Sequence, residues 1–584
     1  MQNQIISLSL FIILFGTELN SQNVYWSHSL RSSDDHSYEI LDIAIDSQLN
    51  VYTVGYFEED LVFSFIDGQD TIMSFGNQDV FISKHDSLGY LLWVNQIGGG
   101  SDDKARRIIV SDMNKIYVGG HFTGGAIFVD ADSETEIEGG NKSGFIVEIS
   151  ASGNFNWIST VDDLSNLDGP YEIEITALEQ DSKNLYVGGW YRGEVDFDIG
   201  PGEYIGNSGS SSNFSRNTFV KKLSKNGSQK FTRSIGDWTD LVCYGIGLDS
   251  LSNIYYGGIF SDNPDFNAGV DIDTISSKGA SDCFIQKLDS IGNYIWTKTW
   301  GGEHAEFITN IEVDKHGNIF SLGYFQFEGE VMPGVETLSL DAIGTGFDIY
   351  LSKLDSQGEF NWVNQIGDNG SEYAEGLSLD YHGNIYLTGR FGSQELAFTS
   401  STNETCILEG QNHTSLLVAG FNQMGDFIWG TTNDNHYADP NINESNIYGA
   451  NISTDVNGDV YVVGDYNRTV DLDASIGQSI LVADNVDGFI VKFHPIKELL
   501  SDIENHELYS NFSIYPNPSN GNVSIINKSK VDKLNYIILD INGRVIKKSI
   551  LNTNTKIDLD VSSGIYFVQF YNKDRRFTKK IIIH

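Results

Sequence analysis

The stretch Asp380-Tyr-His-Gly-Asn-Ile-Tyr-Leu-Thr-Gly-Arg-Phe391 decides the fold, because the chain contains it seven times with small variations. The aromatic residue that follows its turn recurs at steps of 65 to 75 residues. The seven aligned positions are Tyr52, Tyr117, Tyr186, Tyr255, Phe320, Tyr386 and Tyr461. Self-similarity at a nearly constant period predicts a chain built from repeated structural units.

Each repeat predicts four short antiparallel strands. The first two flank a turn rich in Asp, Asn and Gly, and Asn or Gly supplies the positive φ that a tight turn needs. The Asp residues of this turn, with His316 and His382 beside them, are therefore predicted to be turn residues rather than catalytic groups. A third strand, a second turn and an outer strand centred on an aromatic residue follow. The six outer-strand aromatics are Trp93, Trp157, Phe231, Trp296, Trp362 and Trp429.

The two ends of the repeat region complete one unit. The seventh repeat reaches its third strand at 488–493 and continues into His494-Pro495 without an aromatic fourth strand, whereas 23–28 is a Trp strand with no repeat before it. These features predict an all-β fold, a seven-bladed β-propeller over residues 22–494 that is closed by its N-terminal strand near Trp26. A linear solenoid is the competing architecture, and it requires distinct caps at its ends.

The N-terminal segment, residues 1–21, is predicted to be a signal peptide. Its apolar run, 5–15, is too short to span a bilayer and is followed by polar residues. The rest of the sequence predicts no transmembrane segment. Cys243, Cys283 and Cys406 are odd in number and lack metal-ligand spacing, which favours buried thiols. A single Cys243–Cys283 disulfide is the alternative.

The charge is extreme and unevenly distributed. Residues 510–584 hold 12 Lys and Arg against 5 Asp and Glu, while the remainder holds 24 against 75, for a net charge of −44. An acidic propeller repels nucleic acid and anionic lipid over long range, so no nucleic-acid partner is expected. The balance favours cations, basic proteins or neutral ligands such as glycans.

The C-terminal region is a separate unit. Residues 495–509 read as a polar linker, and 510–584 contain short alternating strands separated by Asn, Gly and Pro, which predict a small β-sandwich. Its motif residues are Tyr515, Pro516, Asn517, Pro518, Gly521, Gly543, Gly564, Tyr566, Lys579 and Lys580. This set resembles the C-terminal sorting domain of the type IX secretion system. The resemblance implies the secretion machinery as partner, and secretion or placement on the outer-membrane surface of a Gram-negative bacterium.

The repeat region resembles the bacterial SBBP (seven-bladed β-propeller) repeats. That resemblance covers nearly all of the remaining chain, and it implies the shape of the domain more than an activity.

Four repeats carry an acidic pair in the insert after the second strand. Two residues at i and i+2 of an extended strand share a face, and paired carboxylates suit Ca²⁺, which takes six to eight oxygen ligands. Acidic edges that protect an outer strand are the alternative explanation. The pairs that predict calcium as cofactor are Asp130 and Asp132, Asp196 and Asp198, Asp271 and Asp273, and Asp471 and Asp473.

The loops that join each outer strand to the next inner strand should converge on one face of the ring, where binding residues generally lie. Aromatic and imidazole side chains beside carboxylates in these loops are suited to a sugar ring or a basic peptide. The candidate ligand-binding residues are His36, Trp238, His304, Tyr373, His436 and Tyr437.

No catalytic motif is present in the sequence: no nucleophile elbow, zinc signature or phosphate loop. The leading interpretation is therefore a secreted or cell-surface binding module for a protein or glycan ligand. Its rival is an extracellular polysaccharide hydrolase or lyase that uses paired carboxylates on the propeller face. A structural role in a surface layer or in adhesion differs from the first only in its partner.

Overall fold

The computed structural model consists of β-strands and connecting turns, and it contains two compact units, Met1–Ile496 and Lys497–His584. The described residues are 23–30, 38–65, 68–161, 172–197, 205–208, 215–236, 239–267, 272–329, 340–399, 405–410, 414–433, 446–473, 479–494, 512–515, 519, 522–527, 534–540, 545–551, 554–559, 561–562, 564–571 and 576–583. Among them, no helix is long and apolar enough to cross a membrane.

The first unit contains 36 described strands. In chain order they are β1 (Asn23–Leu30), β2 (Tyr38–Ile45), β3 (Val51–Phe65), β4 (Gly68–His85), β5 (Leu91–Gly99), β6 (Lys104–Val110), β7 (Ile116–Phe122), β8 (Ala126–Val129), β9 (Glu134–Ile137), β10 (Ser143–Ile149), β11 (Phe155–Val161), β12 (Glu172–Gln180), β13 (Asn184–Arg192), β14 (Glu194–Asp196), β15 (Ile205–Asn207), β16 (Asn217–Ser224), β17 (Gln229–Ile235), β18 (Leu241–Leu248), β19 (Ile254–Phe260), β20 (Asp282–Leu288), β21 (Tyr294–Trp300), β22 (Glu306–Val313), β23 (Ile319–Gln326), β24 (Glu328–Gly329), β25 (Leu340–Asp341), β26 (Phe347–Leu354), β27 (Phe360–Ile366), β28 (Glu372–Leu379), β29 (Ile385–Phe391), β30 (Glu395–Thr399), β31 (Thr405–Glu409), β32 (Ser415–Phe421), β33 (Phe427–Thr431), β34 (Ile447–Thr454), β35 (Val460–Asp471) and β36 (Ile480–His494).

Seven four-stranded antiparallel blades form the ring, as the repeat predicts. From inner to outer strand they are β2-β3-β4-β5, β6-β7-β10-β11, β12-β13-β16-β17, β18-β19-β20-β21, β22-β23-β26-β27, β28-β29-β32-β33 and β34-β35-β36-β1. In the seventh blade, the N-terminal strand β1 pairs with β36, with Trp26 opposite Lys492 and Val24 opposite Phe493. The predicted closure is thus confirmed, and the solenoid is wrong.

One feature of the first two blades was not predicted. The insert of the second blade folds as the hairpin β8-β9, and β8 pairs with the outer strand β5 of the first blade, so that this sheet has six strands. Ile97 lies opposite Phe128, and both are buried. The hairpin therefore covers an outer edge that would otherwise present unpaired backbone groups.

The repeated Asp stabilises the turn between the inner and second strands through side-chain hydrogen bonds. Asp380 Oδ1 accepts the backbone N–H groups of His382 at 2.8 Å and Asn384 at 2.9 Å, and Oδ2 accepts the Asn384 side-chain amide at 2.7 Å. The same pattern holds at Asp46 and Asp314. The prediction that these Asp residues serve the turn is confirmed.

Outer-strand aromatics connect successive blades. Trp93 of the first blade donates its indole N–H to the carbonyl of Ala151 in the second blade at 3.2 Å, and a Cβ on Gly153, whose φ is +96°, would stand 3.1 Å from its ring. This aromatic-on-glycine contact recurs between neighbouring blades. The other pairs are Trp157 with Gly227, Phe231 with Gly292, Trp296 with Gly358, and Trp362 with Gly425.

The N-terminal strand makes the same contact. Trp26 donates to the carbonyl of Ser87 at 3.1 Å and lies on Gly89, whose φ is +87°. At the opposite junction, the seventh blade has no turn between its third and outer strands, because its outer strand comes from the other end of the domain. The buried indole N–H of Trp429 accordingly lacks a hydrogen-bond partner among the described residues.

Hydrophobic clusters fill the spaces between neighbouring blades. One cluster, for example, joins Leu322 and Leu351 of the fifth blade to Leu387 and Leu417 of the sixth. Cys243, Cys283 and Cys406 are buried and form no disulfide, which confirms the prediction of buried thiols.

The C-terminal unit has two antiparallel sheets. Its strands are β37 (Phe512–Tyr515), β38 (Asn522–Asn527), β39 (Leu534–Asp540), β40 (Val545–Leu551), β41 (Asn554–Asp558), β42 (Gly564–Tyr571) and β43 (Arg576–Ile583). The sheet orders are β37-β38-β41 and β40-β39-β42-β43, and Ile525 and Val568 from the two sheets share one buried cluster. The β-sandwich stays a prediction.

The sorting-motif residues lie partly in these strands. Tyr515 is in β37, Gly564 and Tyr566 are in β42, and Lys579 and Lys580 are in β43. The Tyr566 hydroxyl donates to the carbonyl of Ser562 at 2.8 Å. Pro516, Asn517, Pro518, Gly521 and Gly543 lie outside the described residues.

Replacing Trp26 with Ala should lower the free energy of unfolding of the propeller by about 3 kcal/mol, the usual cost of truncating a packed aromatic side chain. The reason is the loss of its packing on Gly89 and its hydrogen bond to Ser87. Denaturant unfolding of the full chain measures the change. The control is Tyr25→Ala on the same strand, since Tyr25 is 62% exposed. Equal effects of the two substitutions would contradict ring closure by Trp26.

Candidate functional site

A glycine in every second strand shapes the face around the central channel. A Cβ on Gly389 would overlap the carbonyl oxygen of Tyr373 on the neighbouring inner strand, so only glycine fits. The same overlap with an inner-strand carbonyl occurs in all seven blades. The glycines are Gly55, Gly120, Gly189, Gly258, Gly323, Gly389 and Gly464.

A β-bulge accompanies each of these glycines. In the sixth blade the register of the inner strand shifts between Ala374 and Gly376, which leaves Glu375 without a partner in the ladder, and such bulges re-aim side chains near functional sites. The skipped inner-strand residues are Leu41, Arg106, Thr176, Tyr244, Thr309, Glu375 and Ala450.

The residue after each glycine and its inner-strand partner lie on the same face. We call this set, with the skipped residues, the mouth face, because it surrounds one end of the channel. The residues after glycine are Tyr56, His121, Trp190, Ile259, Tyr324, Arg390 and Asp465. Their inner-strand partners are Glu39, Lys104, Glu174, Val242, Phe307, Tyr373 and Tyr448.

Blades five to seven supply an aromatic part of the mouth face. The rings of Phe307 and Tyr324 stack with centroids 4.9 Å apart, and Tyr324 and Tyr373 meet edge to face at 5.2 Å. The Arg390 guanidinium lies 4.7 Å from the Tyr373 ring centre and 5.0 Å from that of Tyr448. Most of these side chains are half-buried, so the rings retain solvent-facing surface.

Blades two and three supply a charged part around Glu174. Arg106 contacts this carboxylate at 2.6 Å and Lys142 contacts it at 2.8 Å. Burial opposes its ionisation, but the two cations outweigh burial and lower the pKa of Glu174 to about 2. Burial and Lys142 lower the pKa of His121 to about 3, so this imidazole is neutral. Lys142 also lies 5.2 Å from the ring centre of Trp190.

Two acidic residues meet where the seventh blade adjoins the first. Burial, and then the negative charge of Glu39, raise the pKa of Asp465 well above its usual range. One oxygen of the Asp465 carboxyl is buried without a hydrogen-bond partner among the described residues. Tyr56 hydrogen-bonds Glu39, and burial, followed by this bond, raises the Tyr56 pKa.

The channel behind the mouth is narrow and acidic. It encloses about 280 Å³ and is lined by inner strands of all seven blades. Asp42 connects three blades, because its carboxylate accepts the Ile108 N–H at 2.7 Å and the Asn451 amide at 2.5 Å. Burial and neighbouring carboxylates raise the pKa of Glu312 to about 8, and burial raises that of Glu179 to about 7.

The structure describes two of the six predicted ligand-binding residues. Tyr373 belongs to the mouth face, whereas His304 is exposed and lies 4.8 Å from the Phe327 ring, outside that set. His36, Trp238, His436 and Tyr437 lie outside the described residues. The sequence-based candidates did not include Trp190 and Arg390, although both follow the glycine that recurs in every second strand. They also did not include Lys104, which lies on an inner strand and follows no such glycine.

The described acidic-pair residues lie in turns and short strands, where several of their carboxylates accept local hydrogen bonds. Asp130 accepts backbone N–H groups from Asp132 at 3.0 Å and Phe155 at 2.8 Å, and Asp471 accepts that of Asp473 at 3.1 Å. Asp273 accepts the Tyr294 hydroxyl. Asp196 lies in β14, and Asp198 and Asp271 fall outside the described residues.

Within the described ranges, no three or more His, Cys, Asp or Glu side chains converge as metal ligands. Calcium binding by the acidic pairs stays a prediction.

The fold and the mouth face define a seven-bladed β-propeller with an aromatic and charged surface around its channel. Comparison with known families matches residues 513–584 to the secretion system C-terminal sorting domain. The match confirms the predicted export by the type IX secretion system, and it implies secretion or cell-surface attachment in bacteria of the Bacteroidetes type. The SBBP type of the repeats stays a prediction.

Other similarities are distant. An uncharacterised WD repeat-containing protein, L264 of Acanthamoeba polyphaga mimivirus, is 24% identical over 172 residues, which span 28% of this chain and 12% of that protein. A structure of YCF48 bound to D1 peptide covers 80% of this chain and 94% of its own, with 9% identity and a TM-score of 0.34. A biofilm-associated protein BSP domain covers 95% and 98%, with 9% identity and a TM-score of 0.12.

Replacing Gly389 with Ala should destabilise the propeller by about 2 kcal/mol, because an added methyl group forces the inner strand away. Chemical denaturation measures the loss. Gly392→Ala is the matched control in the same blade, since a Cβ there stays at least 3.5 Å from its neighbours. If the two variants were equally stable, the glycine would not be required by the bulge.

The thermal stability that Glu312 contributes should fall as the pH rises from about 4.3 to about 8, because the folded state holds a proton on Glu312 more tightly than the unfolded state, whose glutamate pKa is about 4.3. The stabilisation that comes from protonated Glu312 is fully present below the unfolded pKa, and it is lost as the pH rises to the folded pKa of about 8. Glu312→Gln should flatten the fall in melting temperature, and the exposed control Glu303→Gln should not. Parallel curves for wild type and Glu312→Gln would rule out this origin.

Proposed function

We propose that this protein is an exported binding module whose mouth face takes an extracellular protein or glycan ligand. The observation that carries the proposal is the combination of half-buried aromatic rings and charged groups around one end of the channel. Such surfaces bury the apolar face of a ligand while directed polar groups set its orientation. The rigid blades below hold these side chains in place, so little ordering is needed on binding.

The remaining parts of the chain fit this role. We assign residues 1–21 as a signal peptide, 22–494 as the propeller, 495–509 as a linker and 510–584 as the sorting domain. The first segment directs passage through the inner membrane, and the last directs passage through the outer membrane. The propeller is then the cargo, free in the medium or attached to the cell surface.

One observation favours the alternative of a polysaccharide hydrolase or lyase. Burial, and then the negative charge of Glu39, raise the pKa of the Asp465 carboxyl well above its usual range. An acid of raised pKa beside a second carboxylate is the arrangement that glycoside cleavage uses. The binding role requires no such pair, so turnover separates the two functions.

A glycan array and a panel of extracellular proteins, probed with the purified full chain, test the proposal. Tyr373→Ala should weaken binding at least about tenfold, since aromatic anchors carry a large part of the binding energy at such surfaces. Tyr381→Ala is the control, because Tyr381 is 86% exposed on the turn at the opposite end of the same blade. Equal binding by both variants would place the ligand elsewhere, and cleavage of a bound glycan would favour the hydrolase.

A further inference from the structure

Two cations of the mouth face have no acidic side chain within salt-bridge distance among the described residues. The Lys104 ammonium lies 3.9 Å from the ring centre of Tyr56, and the Arg390 guanidinium lies between Tyr373 and Tyr448. Neither forms a salt bridge with a carboxylate of the described chain. Their acidic neighbours, such as Glu39 for Lys104 and Glu375 for Arg390, act only at longer range.

Other lysines of the described propeller, such as Lys287 over the Tyr255 ring, also lie on an aromatic ring without a salt bridge, but Lys104 and Arg390 do so on the mouth face. Arg106 of the mouth face and two cations that lie beside this face are instead paired with acids. Arg106 and Lys142 contact Glu174, and Arg216 contacts Asp240 at 2.5 Å. A cation that rests on an aromatic ring instead of a carboxylate keeps its charge available to a ligand.

The two cation positions have the same composition, although they come from the second and sixth blades. Each places a positive group on the ring of a tyrosine that belongs to the mouth face. A ligand that fits such a position carries an anion beside a flat apolar surface. A sugar ring that bears a carboxylate has both features, since its C–H face stacks on an aromatic ring while the carboxylate meets the cation.

The surrounding charge limits how many carboxylates the ligand carries. The acidic residues of the propeller repel a uniform polyanion over distances of about 10 Å at ordinary ionic strength. A mostly neutral chain with isolated acidic sugars avoids this repulsion and still reaches the two cations.

Building on the proposed function, we propose that the mouth face binds a mainly neutral glycan bearing isolated carboxylated sugars, with Lys104 and Arg390 as the residues that recognise the carboxylate. The half-buried Tyr373 ring stacks on a sugar, while the buried Tyr56 ring and the Tyr373 ring hold the two cations in position.

The test compares two oligosaccharides of equal backbone length, one of glucuronoxylan and one of unsubstituted xylan, by calorimetry with the full chain. The wild-type protein should bind the carboxylated form at least about tenfold more tightly, the usual scale of a charge-assisted contact at an interface. Lys104→Gln and Arg390→Gln should each reduce that preference. Lys104→Arg should retain it, because the charge remains.

Lys315→Gln is the matched control, since Lys315 is exposed on a turn at the opposite end of the fifth blade. Thermal melts of each variant verify that the propeller is folded. Equal affinity for the two oligosaccharides, or no binding to either, would overturn this assignment of ligand. Loss of preference in Lys315→Gln would overturn the role of Lys104.

An outcome that overturns the carboxylated glycan as ligand does not overturn the proposed binding function. Binding of another glycan or protein that requires Tyr373 would still support that function. Preference for poly-glutamate over both oligosaccharides would replace the glycan by an acidic peptide and overturn the inference. Equal ligand binding by Tyr373→Ala and Tyr381→Ala would instead rule out the mouth face as the binding site.

Discussion

The structure depends on the stacking of an outer-strand aromatic ring on a glycine of the next blade. A blade is only four strands wide, so it buries its faces only when neighbours stand against it on both sides. The contact needs a residue without a side chain at positive φ, as at Gly153 under Trp93. Trp26 makes the same contact with Gly89 although no peptide connects β1 to the rest of its blade. Ring closure therefore uses the interaction that already joins covalently continuous blades.

The same physical constraint links the fold to the candidate site. A glycine in the second strand lets the inner strand bulge toward it, and the bulge leaves one inner-strand residue outside the ladder. The position after the glycine is then free to vary without disturbing the blade. In this chain it varies widely, from Ile259 to Arg390 and Asp465. The mouth face is thus a set of variable side chains on seven nearly identical supports.

Charge acts on two length scales in this protein. Over long range the propeller is strongly acidic, which argues for neutral or cationic ligands. Over a few ångströms, single cations of the mouth face lie against aromatic rings, as Lys104 lies on Tyr56 and Arg390 on Tyr373. Short-range contacts in a half-buried site are screened less than surface charges, so a local cation can dominate recognition. The composition predicts the long-range negative charge, whereas only the fold shows where the local cations lie.

The sequence by itself determined the number of blades, the turn chemistry of the repeated Asp and the closure near Trp26, because these follow from local patterns that recur at a constant period. It also carried the sorting motif, whose residues are close together in the chain. Tertiary structure alone decided which side chains share the mouth face, since Lys104 and Arg390 are nearly three hundred residues apart. It likewise decided that β8 extends the first blade and that Glu312 and Asp42 share a channel. Those relations depend on the angle between blades, and no local pattern in the chain encodes that angle.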